Sequence, residues 1–355
     1  MGKIIIFLLG YAAALVTVAA WPRSKQKARQ QQEEISIRGR EPEGEGHTAQ
    51  AISVFAAVPS FAPPLLQSPA TPKIKRSKEL RVLAVANQKG GVGKTTTVIN
   101  LGAALAAIGE RVLVIDLDPK GNASTGLGLP EAVRHVSTAD VLAGAAALTQ
   151  AVTPAAVPGL YVVPATRDLA GLEPEISAAP NRAYFLRDAI NSLRASERDR
   201  PPHERLGYVL IDCPPSLSIF TLNALAAADA ALLPVQCEFF ALKGIAQLKE
   251  TIDFVRSSLN PAIEIQGVVL TMHDIRTKLA DEVAAEVRSF FGRKVYETVI
   301  PRHPTVAEAP AHGEPLLLYN HKSAGSRAYM ELAAEMIDRE RLLVTAETQR
   351  GECLP

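Results

Sequence analysis

RVLAVANQKGGVGKTTTVINLGAALAAIG, residues 81–109, changes character twice within its length. Its start, RVLAVANQ, reads as a buried strand, and TTVINLGAALAAIG reads as a helix that begins near Thr95 and stops at Gly109. Between them stand Lys89, Gly90, Gly91, Val92, Gly93, Lys94, Thr95 and Thr96. A phosphate chain needs inward-pointing N–H groups with no Cβ in the way, so glycines build such a loop, and the helix N-terminus adds partial positive charge. Lys94 is placed to neutralise the β and γ phosphates, and Thr95 to offer Mg²⁺ a hydroxyl. A glycine-rich turn that binds nothing fits poorly with a strand before it and a helix after it. The ordinary pattern G-x-x-x-x-G-K-[ST] requires glycine at position 88, where this chain has Gln88, followed by Lys89. The extra lysine is costly beside a triphosphate unless it contacts phosphate, either on the same nucleotide or on one held by a second subunit.

Outward from this stretch, apolar runs alternate with longer amphipathic ones, the signature of βα units around a parallel sheet. Strands are expected at RVLAVANQ, RVLVIDLD, LYVVPA, YVLIDCP, AALLPVQ, IQGVVLTM and KVYETVIP. Helices are expected to start near Thr95, Ser137, Arg182, Ser216, Leu242, Ala280 and Ser323, the last running to about Arg341. The expected class is α/β, a doubly wound, mostly parallel sheet of the deviant P-loop NTPase type. Two strands end in carboxylates: RVLVIDLD carries Asp116 and Asp118, and YVLIDCP carries Asp212. Ligands of open α/β sheets bind at that edge. Asp212 closes a Walker B strand and would hold Mg²⁺ through water, because Mg²⁺ dehydrates reluctantly. Pro214 and Pro215 would stiffen the turn that senses the γ-phosphate. Cys213 has no histidine near it in sequence and reads as a small buried residue rather than a nucleophile.

The whole chain has 355 residues, 47% of them hydrophobic and 21% charged, which excludes disorder throughout. Lys plus Arg number 38 against 37 Asp plus Glu, so no global charge announces a nucleic-acid or membrane partner. Three scattered cysteines, Cys213, Cys237 and Cys353, argue against a disulfide framework or a Cys-ligated cluster and fit a reducing cytosol. Residues 1–21 hold an apolar run followed by Arg23, Lys25, Lys27 and Arg29, which reads either as an N-terminal membrane anchor or as a mis-assigned start. Residues 22–79 lack a sustained period and read as a disordered linker or arm, residues 80–341 as the folded domain, and residues 342–355 as a polar tail.

KGGVGKTT resembles the deviant P-loop of the ParA, MinD and nitrogenase iron-protein group. QCEFFALKGIAQL, IQGVVLTMHDIRTKLADEV, KVYETVIPR, EAPAHGEPLLLYN and AGSRAYMELAAEM extend the resemblance, in order, to the ParA/Soj chromosome- and plasmid-partitioning proteins over roughly residues 80–341. The resemblance implies an ATPase with ATP and Mg²⁺ as ligands and a dimer that sandwiches two nucleotides. It implies a Lys89 that acts across the dimer like an arginine finger, an Asp118 that orients the attacking water, and an Asp116 that supports the Mg²⁺ shell. It further implies nonspecific binding of duplex DNA through Arg276, Lys278 and Arg302, hydrolysis stimulated by a ParB-type partner, and a cytoplasmic, nucleoid-associated protein. The family usually has glutamine where Lys120 stands and arginine where Thr305 stands. A MinD-type relative would end in an amphipathic membrane-targeting helix, an iron protein would need ligand cysteines, and a bacterial tyrosine kinase would end in a tyrosine cluster, none of which this chain shows. Two other readings are a nucleotide-gated scaffold that barely hydrolyses ATP, and an ATPase that positions a membrane-bound or protein cargo with weak or no DNA binding.

Overall fold

A computed structural model describes residues 79–238 and 241–351. The apolar run at 1–21, the arm before residue 79 and the last residues of the tail lie outside the described residues. Among those described, no helix is long and apolar enough to cross a membrane.

Eight strands form one sheet: β1 (Arg81–Val85), β2 (Val112–Asp116), β3 (Thr153–Pro154), β4 (Leu160–Val163), β5 (Tyr208–Asp212), β6 (Ala230–Gln236), β7 (Glu264–His273) and β8 (Val295–Pro301). Their order is β3-β4-β2-β5-β1-β6-β7-β8, and every neighbouring pair is parallel except β3 with β4. All seven expected strands are present. The eighth, β3, is a two-residue antiparallel edge containing a proline, too short to leave a period in the sequence and tolerable only at an edge.

The helices are α1 (Lys94–Ala107), α2 (Asn122–Gly126), α3 (Thr138–Leu142), α4 (Leu148–Ala151), α5 (Asp168–Ala178), α6 (Phe185–Arg198), α7 (Ile219–Ala227), α8 (Ala241–Ser258), α9 (Lys278–Phe291), α10 (Pro304–Glu308), α11 (Leu316–Tyr319) and α12 (Ala324–Gly351). Alternation along the central strands sends residues to opposite faces. Leu83 and Val85 of β1 pack with Val98, Leu101 and Leu105 of α1 and with Leu332 and Met336 of α12. Val82 and Ala84 face the other way, into a core that includes Leu186 and Ile190 of α6 and Phe220 of α7. Helix α1 is buried almost all round and correspondingly lacks a polar face.

Two helical differences have local causes. Helix α5 contains Gly171 and Pro174, which hide it from a propensity reading, and it is held by its buried Leu169 and Ile176. Helix α12 continues past Arg341 to Gly351, because LLVTAETQR contains no breaker before that glycine. The chain leaves β1 toward β2 on one side of the sheet and later returns to β6 on the other. A crevice therefore opens at the carboxyl end of β1, the position where open α/β sheets take ligands.

Candidate nucleotide site

The phosphate-type loop begins where β1 ends. Asn87 anchors it, donating from Nδ2 to the Pro234 carbonyl at 2.8 Å while its Oδ1 accepts from the Lys89 amide at 2.9 Å. The Thr271 hydroxyl of β7 donates to the Val92 carbonyl at 2.8 Å from the other side. Gly91 and Gly93 have φ of 76° and 87°, which glycine adopts without the Cβ clash of other residues. Gly93 then caps α1, whose first residue is Lys94. Gln88, at the position of the ordinary pattern's first glycine, turns away and donates to the Thr251 hydroxyl of α8 at 2.7 Å.

The loop's two lysines separate. Lys94 is buried and folds back over the cradle, its Nζ donating to the Lys89 carbonyl at 3.1 Å. Burial pulls its pKa down, opposed by the nearby Asp212, Cys213 and Asp118. Lys89 instead points out to Glu238, 3.2 Å from Nζ to Oε2, with both side chains partly exposed.

The carboxylates meet because β2 and β5 are sheet neighbours. Asp116 and Asp212 are register partners, and Asp212 also pairs with Val85 of β1, at the start of the loop. Asp212 is fully buried, and neither carboxylate oxygen has a hydrogen-bond partner. The Thr95 hydroxyl stands beside it without completing a bond. Burial first and Asp116 second push its pKa well above the carboxylate range. An orphaned buried carboxylate beside a Thr hydroxyl and a lysine suits a hydrated divalent cation on a phosphate chain.

Asp116 is engaged differently. Its oxygens accept from the Ser124 amide at 2.8 Å, the Ser124 hydroxyl at 2.7 Å and the Asp118 amide at 3.2 Å, and burial raises its pKa to about 6. These bonds tie it to the loop after β2. Asp118 is buried and accepts from the Lys120 amide at 3.0 Å, whereas the Lys120 side chain is exposed and forms no ion pair among the described residues. After β5, Cys213 is buried with its thiol pushed up by desolvation, and Pro215 faces Gly90 across the crevice.

Arg276, Lys278 and Arg302 gather at the carboxyl ends of β7 and β8, where the Arg302 amide donates to the His273 carbonyl at 2.9 Å. All three are exposed. Arg276 holds Asp274 in a two-pronged pair of 2.8 and 2.6 Å, and its hydrogen bonds keep that carboxyl well below the usual range. Thr305, where the resemblance has arginine, bonds its hydroxyl to His303 Nδ1 at 2.7 Å at the start of α10. Sequence reading missed Ser124, Glu238 and Thr271. Their partners lie on other elements, so no single run of sequence ties them to the loop or to the carboxylates.

Residues 80–265 match the AAA_31 family, described as an AAA domain. The chain is 58% identical over 262 residues to the chromosome partitioning protein ParA of Caulobacter vibrioides (strain NA1000 / CB15N), covering 74% of this chain and 96% of that one. It is 44% identical over 256 residues to the sporulation initiation inhibitor protein Soj of Bacillus subtilis (strain 168), covering 72% and 98%. Its fold is similar to that of cobyrinic acid a,c-diamide synthase from Mycobacterium smegmatis, solved with an ATP analogue and magnesium, with a TM-score of 0.61 and 37% identity over 72% of this chain and 93% of that one. With a glycine cradle, a buried lysine and an orphaned aspartate at one sheet edge, and relatives of this identity along most of its folded length, the chain belongs to the ParA/Soj family of partitioning ATPases.

Proposed function

We propose that this chain binds ATP with Mg²⁺, closes into a dimer around two nucleotides, and in that state binds duplex DNA without sequence preference, releasing it when a ParB-type partner stimulates hydrolysis. The observation that carries the reading is the divergence of the two loop lysines: Lys94 lies within its own cradle and Lys89 points out of it to Glu238. A cation held at the rim by one exposed carboxylate is free to exchange that partner for a phosphate on a second subunit.

In this reading the amides of residues 89–96 receive the phosphates, and Lys94 offsets their charge. Thr95 and Asp212 would hold Mg²⁺, Asp212 through water, and Asp116 would support that shell indirectly through the Ser124 and Asp118 amides. Bound Mg²⁺ would supply neutralisation of the phosphate oxygens. Asp118 orients the attacking water. Arg276, Lys278 and Arg302 supply the phosphate contacts to DNA, each weak alone and doubled in a dimer. Residues 80–341 form the working domain of a cytoplasmic, nucleoid-associated protein, and residues 1–21, if inserted, would tether it to a membrane.

A second reading, positioning of a membrane-bound or protein cargo with weak DNA binding, is favoured by Asp274 already occupying Arg276 and by Thr305. The test is ATP-dependent dimerisation and duplex-DNA binding of the full chain across a salt series. Lys89→Ala is expected to abolish the ATP-dependent dimer, and Arg276→Glu to weaken DNA binding about tenfold or more with a shallower salt slope. Unchanged dimerisation in Lys89→Ala would refute the cross-subunit role. ATP hydrolysis without DNA binding would select the second reading.

A further inference from the structure

Asp118 stands between the end of β2 and the short helix α2, and among the described residues its carboxylate takes no hydrogen bond from a side chain. A residue that must place one water precisely needs its backbone fixed by something else. The strongest fixture is a guanidinium from farther along the chain. Arg134, only 9% exposed, donates from Nε to the Leu129 carbonyl at 3.1 Å and from Nη1 to the Ala165 carbonyl at 2.8 Å. Its Nη2 reaches the Gly121 carbonyl at 3.3 Å, the Thr125 hydroxyl at 2.8 Å and the Leu129 carbonyl at 2.8 Å. Gly121 in turn donates its amide to the Asp118 carbonyl at 2.8 Å. One side chain thus straps the turn that carries Asp118 to Ala165, two residues beyond the end of β4.

Two further observations tie the strap to this turn. A Cβ at Gly121 would lie 2.2 Å from Arg134 Nη1, and Gly121 has φ of 62°, so the glycine and the arginine are matched. Ser124 makes a parallel strap, accepting from the Ala165 amide at 3.0 Å while donating to Asp116. Arg134 forms no ion pair among the described residues: every acceptor it bonds directly is neutral, and the carboxylates of Asp116 and Glu131 favour its charge only from beyond bonding distance. That arrangement is expensive if stability were its only purpose, since apolar packing serves as well. A planar fork with several fixed donors does what packing does not: it sets the direction of several carbonyls at once.

We propose that Arg134 is a positioning residue for ATP hydrolysis, holding the turn after β2 against the end of β4 so that Asp118 keeps its place at the phosphate site. The proposal rests on the reading of Asp118 as the residue that orients water. The test compares kcat and KM for ATP in the full chain for Asp118→Ala, Arg134→Lys, Thr125→Val and the double variant Asp118→Ala/Arg134→Lys. Arg134→Lys is expected to lower kcat about tenfold with KM within about twofold, because the cradle itself is untouched. The double variant is expected to be no slower than Asp118→Ala alone, which a general loss of structure would not produce. Unchanged kcat in Arg134→Lys, or losses that multiply in the double variant, would overturn the proposal. Normal turnover in Asp118→Ala would instead remove the Asp118 reading on which it stands. If Arg134→Lys fails to fold, Thr125→Val decides, since Thr125 is exposed and its hydroxyl bonds only within this turn, to Arg134 and to the Gly121 carbonyl at 3.0 Å. A drop of about two- to threefold in kcat at constant KM supports the role, and no change refutes it.

Discussion

The carboxyl edge of this sheet carries polar groups in two places, and they are left in opposite states. Around β1 and β5 the groups are buried and incomplete: both Asp212 oxygens lack partners and Lys94 finds only a backbone carbonyl. Around β7 and β8 they are open to solvent or half-buried and already satisfied, the exposed Arg276 by Asp274 and the half-buried Thr305 by His303. Incompleteness in a buried place is costly, so it persists where a ligand completes it. An exposed arginine with a partner is ordinary surface chemistry and carries far less information about what it binds. The nucleotide site therefore declares itself through groups that meet within this chain, whereas Arg276 is tied to DNA by family resemblance alone.

That contrast can be broken from either side. The largest expected effect is on Lys94→Ala, which should reduce ATP turnover at least about a hundredfold, since a preorganised charge on the phosphates is removed from a buried site. Near-normal turnover would dissolve the contrast. Next is Asp212→Asn, expected to raise the stability of the nucleotide-free protein by about 1–2 kcal/mol in thermal unfolding, because an uncompensated buried carboxylate is neutralised. The same variant should lose the additional stabilisation that ATP with Mg²⁺ gives the native chain.

The sign of the pH dependence follows from the same pair. Burial pushes Asp116 up to about 6 from an ordinary 3.8 and also pushes Asp212 well above the usual carboxylate range, so the folded state binds protons that the unfolded chain does not. Nucleotide-free stability should thus rise as pH falls from neutral toward 3.8, with a flatter dependence in Asp212→Asn. The smallest effect sharpens the exposed side: Asp274→Asn frees Arg276 and should tighten nonspecific DNA binding about two- to fivefold, steepening the salt slope by about one contact. If Asp274→Asn leaves DNA affinity unchanged, Arg276 is not a DNA contact.

Much of this was legible along the chain. The seven strands are apolar runs bounded by Gly, Pro and Asp, and the loop from Lys89 to Thr96 declares itself because a phosphate cradle is built from consecutive residues. The two-residue β3 and the proline-bearing α5 were not legible, because pairing and packing with distant residues hold them, not their own propensities. The state of Asp116 was equally hidden: its oxygens are occupied by Ser124 and the Asp118 amide, an arrangement that exists only once the turn has closed.

The sequence by itself determined the class of fold, the phosphate loop and the identity of the carboxylates near it, since each is a local pattern of spacing and residue type. Only the tertiary structure decided that Asp116 and Asp212 sit side by side, that Lys89 turns outward to Glu238, and that Arg134 straps the Asp118 turn. Those outcomes depend on strand order and on contacts between segments far apart in the chain. A periodicity or a motif carries no record of such contacts, because the physical force that makes them acts only after the sheet has brought the segments together.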